Sequence, residues 1–112
     1  MQFDVVEISP SVNKVVMLGR LDAAGAAAVE TRFTAAVAAS GRSAVLDLTG
    51  LEFLSSLGIR LLLASARVVA RRGGRVVLFG AQPMVAEVMD AMALEEVLPL
   101  VATEAEARAL LP

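Results

Sequence analysis

The sequence predicts one α/β domain over residues 1–112, with a mostly parallel four- to five-stranded sheet, an antiparallel N-terminal strand and about four helices. Three observations predict it. Apolar residues recur with a strand period and then a helix period in alternation along the chain. The first two extended segments are joined by the short turn Ser9-Pro10-Ser11-Val12-Asn13, which sets them antiparallel. The apolar run Val76-Val77-Leu78-Phe79 reads as an interior parallel strand, covered on both faces. Such alternation builds βαβ units with right-handed crossovers. A chain of 112 residues is about one domain and can bury a core without staples.

The elements follow in order. Residues 2–8 and 14–19 read as strands. Val29, Phe33 and Val37 then fall at i, i+4 and i+8, with Ala26 and Ala36 on the same side, so a helix is expected over Ala23–Ala39. Asp22 stands at its N-cap position, and Ser40-Gly41 stops it. Ser43–Leu48 reads as a strand with a nearly buried pattern. Thr49–Leu54 reads as a loop. A second helix is expected from Ser56 to Arg72, stopped by Gly73-Gly74. After Val76–Phe79, Gln82-Pro83 opens a third helix with proline in its first turn. Its stripe is Val85, Val88, Met89 and Met92, with Met89 and Met92 expected in the core. Val97–Val101 reads as a short last strand. Thr103 with Glu106 forms a capping box for a final helix over Glu104–Leu110.

Composition narrows the chemistry. The chain has no cysteine, which excludes disulfides, thiolate metal sites and thiol catalysis. It has no histidine, the commonest general base and metal ligand. Net charge is −2, with no strongly basic run and neither Trp nor Tyr to stack on bases, so nucleic acid is not an expected partner. The apolar fraction is 57%, but much of it is alanine. The richest stretch, Leu61–Ala70, is broken by Ser65 and Arg67, short of the roughly 18 apolar residues of a span. The first residues carry Asp4 and Glu7 without a signal-peptide pattern. A cytoplasmic protein without membrane insertion, cofactor or metal is the expectation.

In open parallel sheets, functional groups gather at the carboxyl ends of the strands. Three segments leave those ends here: Gly19–Asp22, Thr49–Ser56 and Gly80–Pro83. The polar groups they offer are Arg20, Asp22, Ser55, Ser56 and Gln82. The second segment carries two hydroxyls and opens a helix, where free N–H groups and the positive end of the dipole favour an anion. Helical spacing puts Ser56, Arg60, Leu63, Arg67 and Arg71 on one row. The row Leu57, Leu61, Ala64 and Val68 reads as core. A serine before a helix is most simply an N-cap and the arginine row a solvated face. A capping serine can also accept a phosphate, and Arg60 lies one turn from Ser56.

The run Leu46-Asp47-Leu48-Thr49-Gly50-Leu51-Glu52-Phe53-Leu54-Ser55-Ser56-Leu57-Gly58-Ile59 resembles the signature of STAS domains, the fold of bacterial anti-sigma factor antagonists. Leu18-Gly19-Arg20-Leu21-Asp22 resembles the motif that precedes the first helix of that family, and the order of elements matches throughout. The resemblance implies that Ser56 is the phosphorylated serine, Gly58 the helix-starting glycine and Asp22 the acid of the first loop. Ser55 stands where the family carries an acid, and Leu57 where it carries Ser or Thr. The resemblance further implies partner switching. The unphosphorylated domain would bind an anti-sigma factor that is also a serine kinase of the histidine-kinase ATPase type, through Asp22, Ser55, Ser56, Leu57, Gly58, Arg60 and Leu63. Phosphorylation of Ser56 would release it, and a serine phosphatase would reset it.

Two other readings compete. One keeps the fold without phosphorylation, as an adaptor subunit of a sensory or lipid-transport complex. The other is an enzyme or small-ligand binder using the loop cluster, which the absence of His and Cys, of a Gly-rich phosphate loop, of paired carboxylates near Ser56 and of any base for it disfavours.

Overall fold

The computed structural model describes all residues, Met1–Pro112. The elements are β1 (Gln2–Ser9), β2 (Val12–Leu21), α1 (Ala23–Phe33), β3 (Ser43–Leu54), α2 (Ser56–Arg71), β4 (Val76–Phe79), α3 (Pro83–Met92), β5 (Leu100–Val101) and α4 (Glu104–Ala109). They form one five-stranded sheet in the order β1-β2-β3-β4-β5. β1 is antiparallel to β2 and all other pairs are parallel. This is the predicted α/β architecture.

Alternation along the strands sorts two unequal faces. On one, Val15, Met17, Leu46, Leu48, Val76 and Leu78 meet α1, α2 and α3 in the main core. On the other, Val45, Val77 and Phe79 are covered by Ala107 of α4. α4 is fixed from the sheet side by Lys14, whose Nζ lies 2.6 Å from Glu104 Oε1. The Lys14 hydrogen bond, helped by Arg108, holds the Glu104 carboxyl below its ordinary range against a weaker opposing desolvation.

Several boundaries differ from the sequence reading. Thr49–Leu54 is strand, not loop. It pairs with a β2 that runs on to Leu21: Leu18 faces Gly50, Gly19 faces Leu51, Arg20 faces Phe53 and Leu21 faces Leu54. Register shifts between Val16 and Leu18 and between Gly19 and Arg20 bend this extension. They leave Leu48, Leu51 and Leu54 as the buried set. A spacing of three hides the strand period that alternation would reveal. Val12 and Asn13 belong to β2, so the turn is shorter than expected.

The first helix also changes character. Beyond Phe33 it widens into a π-helical segment, Thr34–Ala38, closed by Ala39 N–H donating to the Thr34 carbonyl at 3.0 Å. The wider turn buries Ala38 beside Val37. On α3, Val85 and Met89 are core, but Met92 is 50% exposed. The helix ends there, with Ala93 in the left-handed conformation, and Leu98 is the buried residue that follows. The last strand is only Leu100–Val101 of the expected Val97–Val101.

Candidate functional site

The β2 and β3 extensions end side by side, and this junction builds the site. Leu21 and Leu54 are paired neighbours, so Asp22 and Ser55, the next residue on each, start their helices together. Each is an N-cap. Asp22 Oδ1 accepts from Gly25 N–H at 2.7 Å. Ser55 Oγ accepts from Gly58 N–H at 3.1 Å and donates to the Leu21 carbonyl at 2.9 Å. Ser55 N–H donates to that same carbonyl at 2.9 Å. The end of β2 is therefore stitched to the start of α2 by one serine.

Gly58 shows how close the junction is. A Cβ at this position would lie 2.8 Å from both the Leu21 carbonyl oxygen and Leu21 Cγ. Only a residue without a side chain lets α2 start against β2. Gly58 is thus buried and shapes the site from beneath.

Ser56 has no part in this stitching. It is the first residue of α2, exposed, and the cap belongs to Ser55. The helix start leaves free N–H groups beside it. Leu57 is 45% exposed and Ala64 is exposed, contrary to their place on the expected core row. The buried face of α2 is instead Gly58, Ile59, Leu61, Leu62, Ala66 and Val69. The reason is the neighbouring α1: its facing wall is alanine, so the two helices leave a groove of about 340 Å³ rather than a filled seam. Ala23, Ala27, Leu57, Arg60 and Ala64 line that groove, with Glu30 on its rim.

Besides Glu30, the junction carries three charges. The Arg20 guanidinium stacks 4.4 Å from the centroid of the Phe53 ring, and its Nε lies 3.9 Å from Asp22 Oδ2. Arg60 is exposed one turn along α2 from Ser56. Two cations, Arg20 and Arg60, and two carboxylates, Asp22 and Glu30, therefore stand on the elements that meet at this junction. Leu63 is half-buried against the main core instead of joining this exposed set. Gln82 is also elsewhere: its Nε2 donates to the Thr49 carbonyl at 2.9 Å, midway along β3. The third loop does not reach Ser56, because β3 runs on past its pairing with β4. Phe53, Glu30 and the alanine wall of α1 were missed by the sequence reading. The pairing of Arg20 with Phe53 becomes visible only once the β2–β3 register is known.

No group of three or more His, Cys, Asp and Glu residues is placed to hold a metal ion. No helix is long and apolar enough to cross a membrane.

The STAS domain profile matches residues 5–107. The chain belongs to the STAS domain family. Solved structures share its fold. An anti-sigma factor antagonist from Mycobacterium paratuberculosis is 26% identical, with a TM-score of 0.80 over 96% of this chain and 92% of that one. The anti-sigma factor antagonist SpoIIAA in its unphosphorylated form is 22% identical, with a TM-score of 0.78 over 96% and 93%. The Bacillus cell fate determinant SpoIIAA in its phosphorylated form is 21% identical, with a TM-score of 0.72 over 96% and 97%. No curated protein matches the sequence. The chain is thus a STAS domain built like the anti-sigma factor antagonists.

Proposed function

We propose that this STAS domain is a bacterial, cytoplasmic anti-sigma factor antagonist that works by partner switching, with Ser56 as its phosphoacceptor. Unphosphorylated, it binds an anti-sigma factor that is also a serine kinase of the histidine-kinase ATPase type. Asp22, Leu57, Arg60 and the Ser55–Gly58 turn form the contact, with Leu63 behind it. Phosphorylation of Ser56 releases the partner, and a serine phosphatase restores binding. The domain itself performs no catalysis.

The division of labour between the two serines carries this reading. Ser55 has its hydroxyl committed to Leu21 and Gly58, whereas Ser56 presents an exposed hydroxyl at a helix start. The neighbouring Leu57 supplies an apolar contact at the same spot. A phosphate adds about −1.5 to −2 charges there. Placing that charge in a close interface requires its desolvation. A loss of about 3 kcal/mol weakens binding more than a hundredfold. No rearrangement of the domain is needed. That SpoIIAA, of the same fold, has been solved in both phosphorylation states supports the same reading.

The test is incubation with an ATPase-type anti-sigma kinase of the same cell and Mg·ATP, followed by intact-mass measurement. One phosphate is expected on the wild type and on Ser55→Ala, and none on Ser56→Ala. Ser56→Asp should bind the kinase far more weakly than Ser56→Ala. Phosphate persisting on Ser56→Ala would move the site. Equal kinase binding by wild type, Ser56→Ala and Ser56→Asp would make the domain a constitutive adaptor.

A further inference from the structure

α2 carries a second polar feature, at the end far from Ser56. Arg67 and Arg71 stand one turn apart in its C-terminal half. Gly73, with φ of +84°, then reverses the chain so that Arg75 precedes β4 beside them. All three arginines line an open cavity of about 480 Å³, floored by Ala66, Ala70 and Val76 and walled across by Glu96. None of the three takes part in any of the chain's four ion pairs, and neither does Glu96. Three guanidinium groups against one carboxylate leave a local excess of two positive charges, in a chain whose net charge is −2. One Arg75 nitrogen lies 3.4 Å from the Leu110 carbonyl, which leaves the other donors of that group free.

Cations at a helix C-terminus also complement the helix dipole. That accounts for Arg71 and for its neighbour Arg72. It does not account for Arg75, which lies beyond the helix, or for a concave apolar floor beneath the charges.

We propose that this cavity binds a small organic phosphate, a phosphomonoester or diphosphate with an apolar body. Guanidinium forks match phosphate oxygens in paired hydrogen bonds. A dianion cancels the local charge excess. The alanine and valine floor takes the body of the ligand, and the volume falls within the roughly 300–1,000 Å³ of small-molecule sites. An extended polyanion is disfavoured by the net negative charge of the chain and by the small concave shape. Arg67 and Arg71 lie about 16 and 22 Å along α2 from Ser56 at 1.5 Å per residue, so the site does not depend on the switch at Ser56.

Phenyl phosphate is the probe, titrated into ¹⁵N-labelled full-length protein at constant ionic strength, with inorganic phosphate in parallel. Saturable amide shifts confined to residues 66–76 and 96–97 are expected, with phenyl phosphate binding more tightly than inorganic phosphate. Arg67→Gln and Arg71→Gln should each weaken binding about tenfold. Both arginines are exposed, so an unfolding midpoint within about 4 °C of wild type is expected for each variant, Arg71→Gln losing its interaction with the helix dipole. Arg32→Gln, an exposed change on α1, should leave the titration unaltered. Shifts that do not saturate, or that weaken equally in Arg32→Gln, would overturn the site. Equal affinity for the two probes would overturn the apolar body of the ligand.

Discussion

Alanine at Ser55 and alanine at Ser56 should have opposite consequences. Ser55→Ala removes the acceptor for Gly58 N–H, a cap worth about 1 kcal/mol within a range of 0.5–2. It also removes the hydroxyl bond to the Leu21 carbonyl, about 1 kcal/mol. That carbonyl keeps the Ser55 N–H at 2.9 Å, so the Leu21 acceptor is not orphaned, and the Gly58 N–H left unpaired is the loss already counted in the cap. The sum is roughly 1–3 kcal/mol. For a domain of this size each kcal/mol lowers Tm by about 4 °C, giving a fall of roughly 4–12 °C. Ser56→Ala removes an exposed hydroxyl at the first helical position, where surface changes stay within about 0.5 kcal/mol, or about 2 °C. Thermal and urea unfolding followed by circular dichroism measures both, and an unchanged m-value shows that only stability moved. A Ser56→Ala loss matching that of Ser55→Ala, or a Ser55→Ala variant as stable as wild type, would refute the assignment of the cap.

Three further outcomes follow from the same geometry. Gly58→Ala should lower Tm even though alanine is about 1 kcal/mol the better helix former, because the new methyl meets a Leu21 carbonyl that Ser55 pins from two sides; a rise in Tm would show that the junction yields. Leu57→Ser should cost only about 1 kcal/mol, or about 4 °C, since Leu57 is already 45% exposed, while weakening the proposed kinase complex about tenfold in a calorimetric titration. Glu104→Gln should lower Tm at neutral pH, and the difference from wild type should vanish in acid. The folded-state Glu104 carboxyl titrates below its unfolded value, so its contribution is present above the unfolded pKa and is lost as pH falls through the folded one; a difference that persists in strong acid would place its cause outside ionisation.

The parts of the fold that were legible in the sequence are those in which one residue type does one physical job. The apolar β4 run, Asp22 as a cap and Pro83 at a helix start each state a local rule, and the structure places each as read. Val29, Phe33 and Val37 are all buried as expected, though Val37 lies in the π-helical turn. Of the Thr103–Glu106 box, the Thr103 cap forms, while the Glu106 carboxylate bonds the Thr103 hydroxyl. What was hidden depends on distant partners. Thr49–Leu54 looks like a loop because its bends break the alternation that marks a strand, and the bends are set by pairing with β2. Leu57 and Ala64 look like core by helical spacing. Whether a helix face is covered depends on the neighbour, and α1 offers mainly alanine there, with Glu30 at the rim. Met92 fails for a related reason, since periodicity does not say where a helix ends. At the site, the presence of two serines was readable, but their division of labour was not. Ser55 becomes the cap only once Leu21 and Leu54 are known to be paired.

That pairing also gives a physical meaning to the two positions where the chain departs from the STAS pattern it resembles. The cap at position 55 is delivered by a hydroxyl rather than a carboxylate, so the helix start is satisfied without a negative charge next to Ser56. The surrounding charges are then Arg20, Arg60, Asp22 and the groove-rim Glu30, which cancel. Adding about −1.5 to −2 charges at Ser56 turns a charge-balanced patch negative instead of deepening an existing negative one. The exposed Leu57 works in the same direction. A hydrated dianion on the preceding residue would sit at the edge of the apolar contact and oppose its desolvation. A hydroxyl cap and an apolar neighbour therefore make the unphosphorylated surface a charge-balanced, partly apolar patch, the condition under which a single phosphate changes the character of the surface most.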